Sequence, residues 1–344
     1  MKVAILAPVA WRTPPRHYGP WEQMASNVAE GLVALGVDVT LFATADSATA
    51  GTLAAVVPQG YEEDRTQDAK VAECLHISYL LERAGEFDVI HNHFDFLPLT
   101  YSRLVPTPML TTIHGFSSAK ILPVYEKYAA TTAYVSISHA DRSPCLPYAA
   151  TVYNGLRVSD FTFTEKPDDY LLFFGRIHPD KGTAEAIEIA RRSGRRLLIA
   201  GIVQDEAYFR ERVQPFLNQN IVFLGPAGPA QRNELLGHAA ALLHPISFEE
   251  PFGLSVAEAQ LCGTPVIAFR RGAMPELIQD GQTGFLVADV AQAVAAVQQL
   301  SRISRAACRT WAAASFSQEK MAADYLAVYE QLLGGRIRIE QLGE

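Results

Sequence analysis

Cysteine is scarce in this chain, four in 344 residues. Cys74, Cys145, Cys262 and Cys308 form no Cys-x-x-Cys pair and are too sparse for a disulfide scaffold. That usage points to a reducing compartment, with each thiol read as a small buried or half-buried residue. Long apolar runs are also missing. No stretch approaches the roughly eighteen uninterrupted apolar residues of a membrane span. The N-terminus, Met1 to Pro8, carries only a short apolar run before Trp11 and Arg12, so it reads as a first strand and not as a signal peptide. A cytoplasmic protein is the expectation. Positive charge is in deficit: 29 basic against 37 acidic residues give a net charge of −8, which speaks against a general nucleic-acid surface. No strongly basic amphipathic helix marks a membrane-surface segment. No Gly-x-Gly-x-x-Gly follows the first strand and no Gly-x4-Gly-Lys-Ser/Thr occurs, which argues against a nicotinamide dehydrogenase or a P-loop enzyme.

What is present is a chain 49% apolar and long enough for two cores of about 150 residues each. Short apolar strands alternate with helical segments, the pattern of parallel sheets built from βαβ units. Strands are expected at 2–7, 37–43, 53–57, 88–92, 108–113 and 133–137, with helices near 21–35, 68–84 and 119–130. The pattern then restarts, with strands at 170–174, 196–200, 221–224, 241–244 and 265–269. Between the two series, Asn154 to Asp169 is polar and without periodicity, the best linker candidate. The expectation is an α/β protein of two doubly wound domains, 1–155 and 165–317, with the carboxyl ends of their strands facing a cleft.

One stretch carries more chemistry than the rest. Glu249-Glu250-Pro251-Phe252-Gly253-Leu254-Ser255-Val256-Ala257-Glu258-Ala259 is closed by Cys262-Gly263-Thr264-Pro265-Val266-Ile267. It sets Glu250 in a loop before a helix and Glu258 inside that helix. Phe252-Gly253-Leu254 falls where the helix begins, and free N–H groups there suit an anion or a sugar hydroxyl. Glu258, about one turn in, can hold a vicinal diol as an acidic residue holds ribose in dinucleotide folds. This signature resembles that of the retaining glycosyltransferases of family four, which have the two-domain GT-B architecture and use nucleotide diphosphate sugars.

The resemblance extends over residues 2 to 332 and implies roles for further residues. Strand 170–174 runs into Gly175-Arg176-Ile177-His178-Pro179-Asp180-Lys181-Gly182; the matching Arg and Lys of the family grip the diphosphate, which assigns that task to Arg176 and Lys181. Arg16-His17-Tyr18-Gly19-Pro20-Trp21-Glu22 follows the first strand, and Gly19 allows close approach of a phosphate. Where the family commonly has a second glycine and then Thr-Glu, this chain has Pro20, which removes one N–H donor, and Trp21, read either as part of an acceptor pocket or as a packed helix-start residue. Thr111 to Phe116 puts His114 at the end of a strand, as a contact beside the reacting carbon. His91 and His93 on one strand face, with Asp95, read as an acceptor-side wall and not as a zinc site. Ser138 and Asn154 match positions lining the cleft, although the family's Asp after Asn-Gly is Arg157 here. Glu276 and Thr283 to Val287 also fit. The final helix, about 318–333, is implied to cross back to the first domain, and the charged tail 334–344 is expected to fray.

The resulting expectation is a hexosyltransferase with His114, Glu250, Arg176 and Lys181 at the reacting end. Gly19, Phe252, Gly253, Leu254 and Glu258 complete the donor site, and Trp21, His93, Asp95, Ser138 and Asn154 the acceptor side. UDP-glucose is the favoured donor, with GDP-mannose open, and the acceptor is a hydroxyl of a small molecule, glycan or lipid. With no Asp-x-Asp pair after a strand, no metal and no cofactor are expected. The alternatives are a phosphorylase or nucleotide-sugar epimerase on the same fold, or a non-catalytic nucleotide-sugar-binding protein.

Overall fold

The computed structural model describes residues 1–16, 19–115 and 118–339. His17, Tyr18, Phe116 and the end of the charged tail lie outside the described residues. The chain divides into two compact units, residues 1–155 with 318–344, and residues 156–317.

The first unit is built on a seven-stranded sheet of order β3-β2-β1-β4-β5-β6-β7. Its strands are β1 (Lys2–Leu6), β2 (Asp38–Phe42), β3 (Thr52–Ala54), β4 (Val89–Asn92), β5 (Met109–Ile113), β6 (Thr132–Ser136) and β7 (Tyr148–Thr151). All adjacent pairs are parallel. The near-continuous apolar runs of the inner strands follow from burial on both faces. Val3 and Ile5 point to one side, under α1 (Pro20–Ala34) and the C-terminal helix (Gln318–Leu333), where Met321, Tyr325, Val328, Tyr329 and Leu332 join Val28 and Leu32. Ala4 and Leu6 point to the other, under Ile77 and Leu80 of α2 (Ala69–Leu81) and Tyr125 of α3 (Leu122–Tyr128). Each buried Leu, Val or aromatic side chain of the C-terminal helix contributes on the order of 1.5–3 kcal/mol, so this helix is part of the first core. Asp68 caps α2 by accepting from Val71 N at 3.1 Å, an interaction of about 1 kcal/mol.

The second unit has a six-stranded sheet of order β10-β9-β8-β11-β12-β13. These strands are β8 (Tyr170–Phe174), β9 (Arg196–Ala200), β10 (Ile221–Gly225), β11 (Ala241–His244), β12 (Val266–Phe269) and β13 (Gly284–Val287), again parallel. Its helices are α4 (Thr183–Ser193), α5 (Pro229–His238), α6 (Leu254–Leu261), α7 (Val290–Val297) and α8 (Arg305–Ser315). Leu171, Phe173, Ile199, Leu243 and Ile267 pack against Ile187 and Ala190 of α4 and Ala293 and Val297 of α7. Two doubly wound parallel sheets are the pair of Rossmann-like units that the GT-B expectation requires.

Several details differ from expectation. Residues 156–169, read as a linker from their polarity, are strapped to the second unit. Arg305 donates to Thr164 O at 2.6 Å and Ala239 O at 2.9 Å, and Arg309 to Phe161 O at 2.6 Å and Val158 O at 3.3 Å. Guanidinium donors there take the place of a sheet ladder. The helix expected over 119–130 is a 3-10 turn, Ala119–Ile121, followed by α3; Pro123, without an N–H, suits a first helical turn and not an interior. Strand β3 ends at Ala54, not 57, and β7 and β13 lie outside the expected set. Cys262 and Cys308 are buried, but Cys74 and Cys145 are exposed, which corrects the reading of all four as buried or half-buried. Among the described residues no helix is long and apolar enough to cross a membrane.

Candidate active site

In the second unit the loops leaving the carboxyl ends of β8 and β11 interlock. Gly182 has a φ of 75°, and a Cβ built on it would stand 1.9 Å from Pro245 O; only glycine permits that approach. Ser247 N donates to Asp180 O at 2.8 Å. This contact brings Lys181, on one loop, onto Glu250, on the other, as a salt bridge to Oε2 with the two side chains only 15% and 14% exposed. His244 closes β11, and its buried Nε2 stands 3.7 Å from the same oxygen, with no hydrogen-bond partner. Burial pushes the Glu250 carboxyl up, but His244 and Lys181 more than offset it and hold the group at about 2. Oε1 has no partner among the described residues and is the oxygen that can receive a ligand. The Glu250 backbone is fixed from the far side, where its carbonyl accepts from Ala273 N at 2.9 Å.

Arg176 is anchored in the same way. Ile177 N donates to Ile202 O at 2.8 Å, which lays the 202–204 turn beside the loop, and the guanidinium contacts Gln204 and, at 3.4 Å, Asp180 Oδ2. Asp180 Oδ1 is 2.7 Å from His178 Nδ1. His178 Nδ1 accepts from Asp180 N at 3.4 Å, so the Asp180 side chain orients the Arg176 cation while its backbone holds the imidazole on the turn that carries Lys181. Charge placed before a ligand arrives has no reorganisation to undergo at the moment of reaction.

Phe252 is buried, its ring edge-on to Phe316 at 5.7 Å and 85°, so that side chain anchors the loop while Gly253 caps α6 and Leu254 begins it. Glu258 lies within α6, only 6% exposed, with Oε1 3.0 Å from Arg232 of α5. Burial raises its pKa and Arg232 opposes the rise.

In the first unit the register aligns Ile5 with His91 and Asn92 with Thr111, so β4 ends opposite Thr111 and β5 runs two residues further, to Ile113. His93 and His114 leave the sheet at that edge, with His93 Nδ1 2.9 Å from His114 Nε2. Trp21, two residues after the α1 cap Gly19, lies over His114 at 5.8 Å and 24°. Burial holds His114 at about 3 and His93 well below the usual imidazole range. Asp95 has a φ of 91°, uncommon for a non-glycine residue. Asn92 holds that bend by donating to Asp95 O at 2.9 Å and accepting from Phe94 N at 2.9 Å. The Asp95 carboxylate accepts from Tyr125, and burial raises its pKa.

The expectation for His91 is corrected. It is fully buried, with Nδ1 2.6 Å from Tyr329 Oη and Nε2 2.7 Å from Thr112 Oγ1, so it belongs to the packing of the C-terminal helix and not to a ligand-facing wall. His93 is equally enclosed and reaches outward only through His114. Ser138 and Asn154 are enclosed as well, Ser138 Oγ accepting from Asp141 N at 3.0 Å. Sequence reasoning did not single out Asp180, Gln204, His244 or Arg232. Asp180 had a signal, an acid between two cations on one turn. The other three had none, because each comes from a distant segment. Glu22 was also passed over: it is buried beneath Gly19, accepts from Trp11 N at 3.2 Å, and burial raises its pKa to about 7. Among the described residues no three His, Cys, Asp or Glu side chains come together as a metal-ligand set.

Residues 168–302 match the sequence family described as Glycosyl transferases group 1, a span that holds Arg176, Lys181, Glu250 and Glu258. The D-inositol 3-phosphate glycosyltransferase of Mycobacterium bovis (strain BCG / Pasteur 1173P2) is 33% identical over 180 residues, and the match spans 47% of this chain and 37% of that relative. AviGT4, a glycosyltransferase involved in avilamycin A biosynthesis, superposes with a TM-score of 0.74 at 25% identity, over 97% of this chain and 98% of its own. Anabaena Alr3699/HepE, solved in complex with UDP and glucose, superposes with a TM-score of 0.71 at 19% identity, over 96% and 100%, a likeness of fold. The architecture is that of GT-B glycosyltransferases, and residues 168–302 are a glycosyl transferases group 1 segment.

Proposed function

We propose that the chain is a retaining glycosyltransferase. It moves a hexose from a nucleoside diphosphate sugar to a hydroxyl of a small-molecule, glycan or lipid acceptor. The observation that carries this reading is the set built at the carboxyl ends of β8 and β11: two oriented cations, Arg176 and Lys181, beside the ionised Glu250. Open parallel sheets bind ligands at that edge. The family match over this segment supports it, and the UDP and glucose bound by HepE make UDP-glucose the first donor to try, with GDP-mannose second.

In this reading Arg176 and Lys181 take the leaving diphosphate and Glu258 the ribose diol. Glu250 Oε1 and the N–H groups that open α6 take the sugar hydroxyls. The acceptor oxygen bonds to the anomeric carbon as the bond from that carbon to the diphosphate breaks, and the acceptor's proton passes to the departing phosphate oxygen. Proton transfer to the leaving group requires attack on the face it leaves, hence retention. An inverting reaction would need a base on the opposite face. Arg176 and Lys181 supply the charge that a divalent ion supplies elsewhere, so transfer proceeds in EDTA.

The test is incubation with UDP-glucose, GDP-mannose and related donors against a panel of hydroxyl acceptors. Mass spectrometry identifies the product and proton NMR its anomeric coupling. An α-linked product from an α-linked donor is expected. A β-linked product would overturn the mechanism, and activity abolished by EDTA and restored by magnesium would overturn metal independence.

A further inference from the structure

The imidazoles at the ends of β4 and β5 hold their protons in a definite order. His91 has both nitrogens engaged, one by Tyr329 and one by Thr112. His93 does not. Its Nδ1 faces His114 Nε2 at 2.9 Å, while its Nε2 is buried without a partner. The two rings are 5.1 Å apart between centroids and 30° from coplanar, so they meet end to end with the two nitrogens in line. Both rings are neutral where they are enclosed, and one proton lies between them.

That proton has two placements. If His114 Nε2 carried it, His93 would need its own proton on Nε2, leaving a buried N–H donor with nothing to bond. The Tyr325 ring cannot receive it, at 6.4 Å between centroids, and the His91 ring lies across the His93 face at 4.0 Å and 42°. If His93 Nδ1 carries it, the unpartnered Nε2 is a bare lone pair. Orphaned buried N–H groups are rarer than under-satisfied acceptors, so the second placement prevails. His114 then carries its proton on Nδ1, which has no partner among the described residues and sits on a half-buried ring steadied by Trp21.

We propose that His93 is a positioning residue that locks His114 as the Nδ1–H tautomer, so that His114 offers a ligand oxygen a hydrogen-bond donor and no base. The tautomer stands on the geometry of the first unit alone; the identity of that oxygen, a hydroxyl of the donor sugar or of the acceptor, rests on the glycosyltransferase reading. A donor at this point holds a hydroxyl without removing its proton, consistent with a proton that leaves on the phosphate.

The experiment is long-range proton–nitrogen correlation NMR of the full chain labelled at histidine, near pH 7.5, with His114 assigned from its absence in His114→Gln. The expected spectrum has His114 protonated on Nδ1 and bare on Nε2. His114 protonated on Nε2 would overturn the proposal. His93→Phe should let His114 shift to the Nε2–H form and lower kcat/KM by about tenfold, the loss of one hydrogen bond to substrate. His93→Gln, whose amide N–H can still donate to His114 Nε2, should keep the Nδ1–H form and most of the rate. A Gln variant that behaves like Phe in both readouts also counts against the proposal, and it covers the case in which Phe does not fold. The expected tautomers with no transfer from any donor would uphold this inference and overturn the functional reading.

Discussion

Lys181 and Glu250 depend on one another. With both side chains about 15% exposed, removal of either leaves a charge in a poorly hydrated pocket, which typically costs more than the pair contributes. Lys181→Met should destabilise the fold by about 2–4 kcal/mol, and adding Glu250→Gln should recover at least half. Urea midpoints of the two single variants and the double decide it, and additive losses would refute the coupling. The Glu250 carboxyl lies at about 2 against an ordinary 4.5, so its stabilisation is complete above 4.5 and is lost as pH falls towards 2. Arg176 differs, being 28% exposed and held by Gln204 and Asp180. Arg176→Ala should leave the melting temperature nearly unchanged and lower kcat/KM by about 2–4 kcal/mol, and a near-normal rate would remove it from the chemistry. At this scale the sequence was legible where residue type and position after a strand were enough, as for Arg176, Lys181 and Glu250. It was silent on His244 and Arg232 because they meet Glu250 and Glu258 only through the fold.

Among the elements, the inner strands of both sheets were readable from unbroken apolar runs such as Leu171 to Phe174. The misses share a place. β7 and β13 are edge strands, as is the displaced β3. Tyr148–Thr151 is partly exposed throughout, and Gly284–Val287 opens on a glycine; an edge strand packed on one side needs fewer apolar residues and so leaves a weaker pattern. The loops that carry the site depend on backbone approach more than on composition. Gly182→Ala would have to open the contact with Pro245, so it should destabilise the second unit by more than about 2 kcal/mol and reduce transfer as Lys181 draws away from Glu250. Gly194, with a φ of 69° and nothing within 4 Å of a built Cβ, is the control: Gly194→Ala should cost only about 1 kcal/mol and leave the rate intact. Equal losses in thermal melts of the two would show that left-handed strain, and not the Pro245 contact, governs Gly182.

For the molecule as a whole, the ionisable groups are divided unevenly between the units. The histidines whose pKa burial lowers, His76, His91, His93 and His114, all belong to the first unit. Burial holds His76 at about 4 and His114 at about 3, with the other two well below the ordinary 6.5. As pH falls below 6.5 the unfolded chain binds protons that the folded unit refuses, so stability declines with acid. At pH 5 His76 and His114, with folded values of about 4 and 3, each contribute about 2 kcal/mol of loss, a sizeable part of the roughly 5–15 kcal/mol of an ordinary domain, and His91 and His93 act in the same direction. Glu22 opposes this: with its folded pKa at about 7 against 4.5, it stabilises progressively as pH falls from 7 to 4.5, and Asp95 and Glu73, whose pKa values burial also raises, act in the same direction at lower pH. The second unit contains none of these histidines, and its Glu250 contribution is retained until pH drops below 4.5. Acid should therefore weaken the first unit well before the second. Tryptophan can report each separately, because Trp11 and Trp21 lie in the first unit and Trp311 in the second. Urea titrations of Trp311→Phe, and of the double variant Trp11→Phe/Trp21→Phe, at pH 7.5 and pH 5 should show a larger fall in midpoint for the first unit. Equal shifts in the two signals would mean that the buried imidazoles charge in the folded state after all.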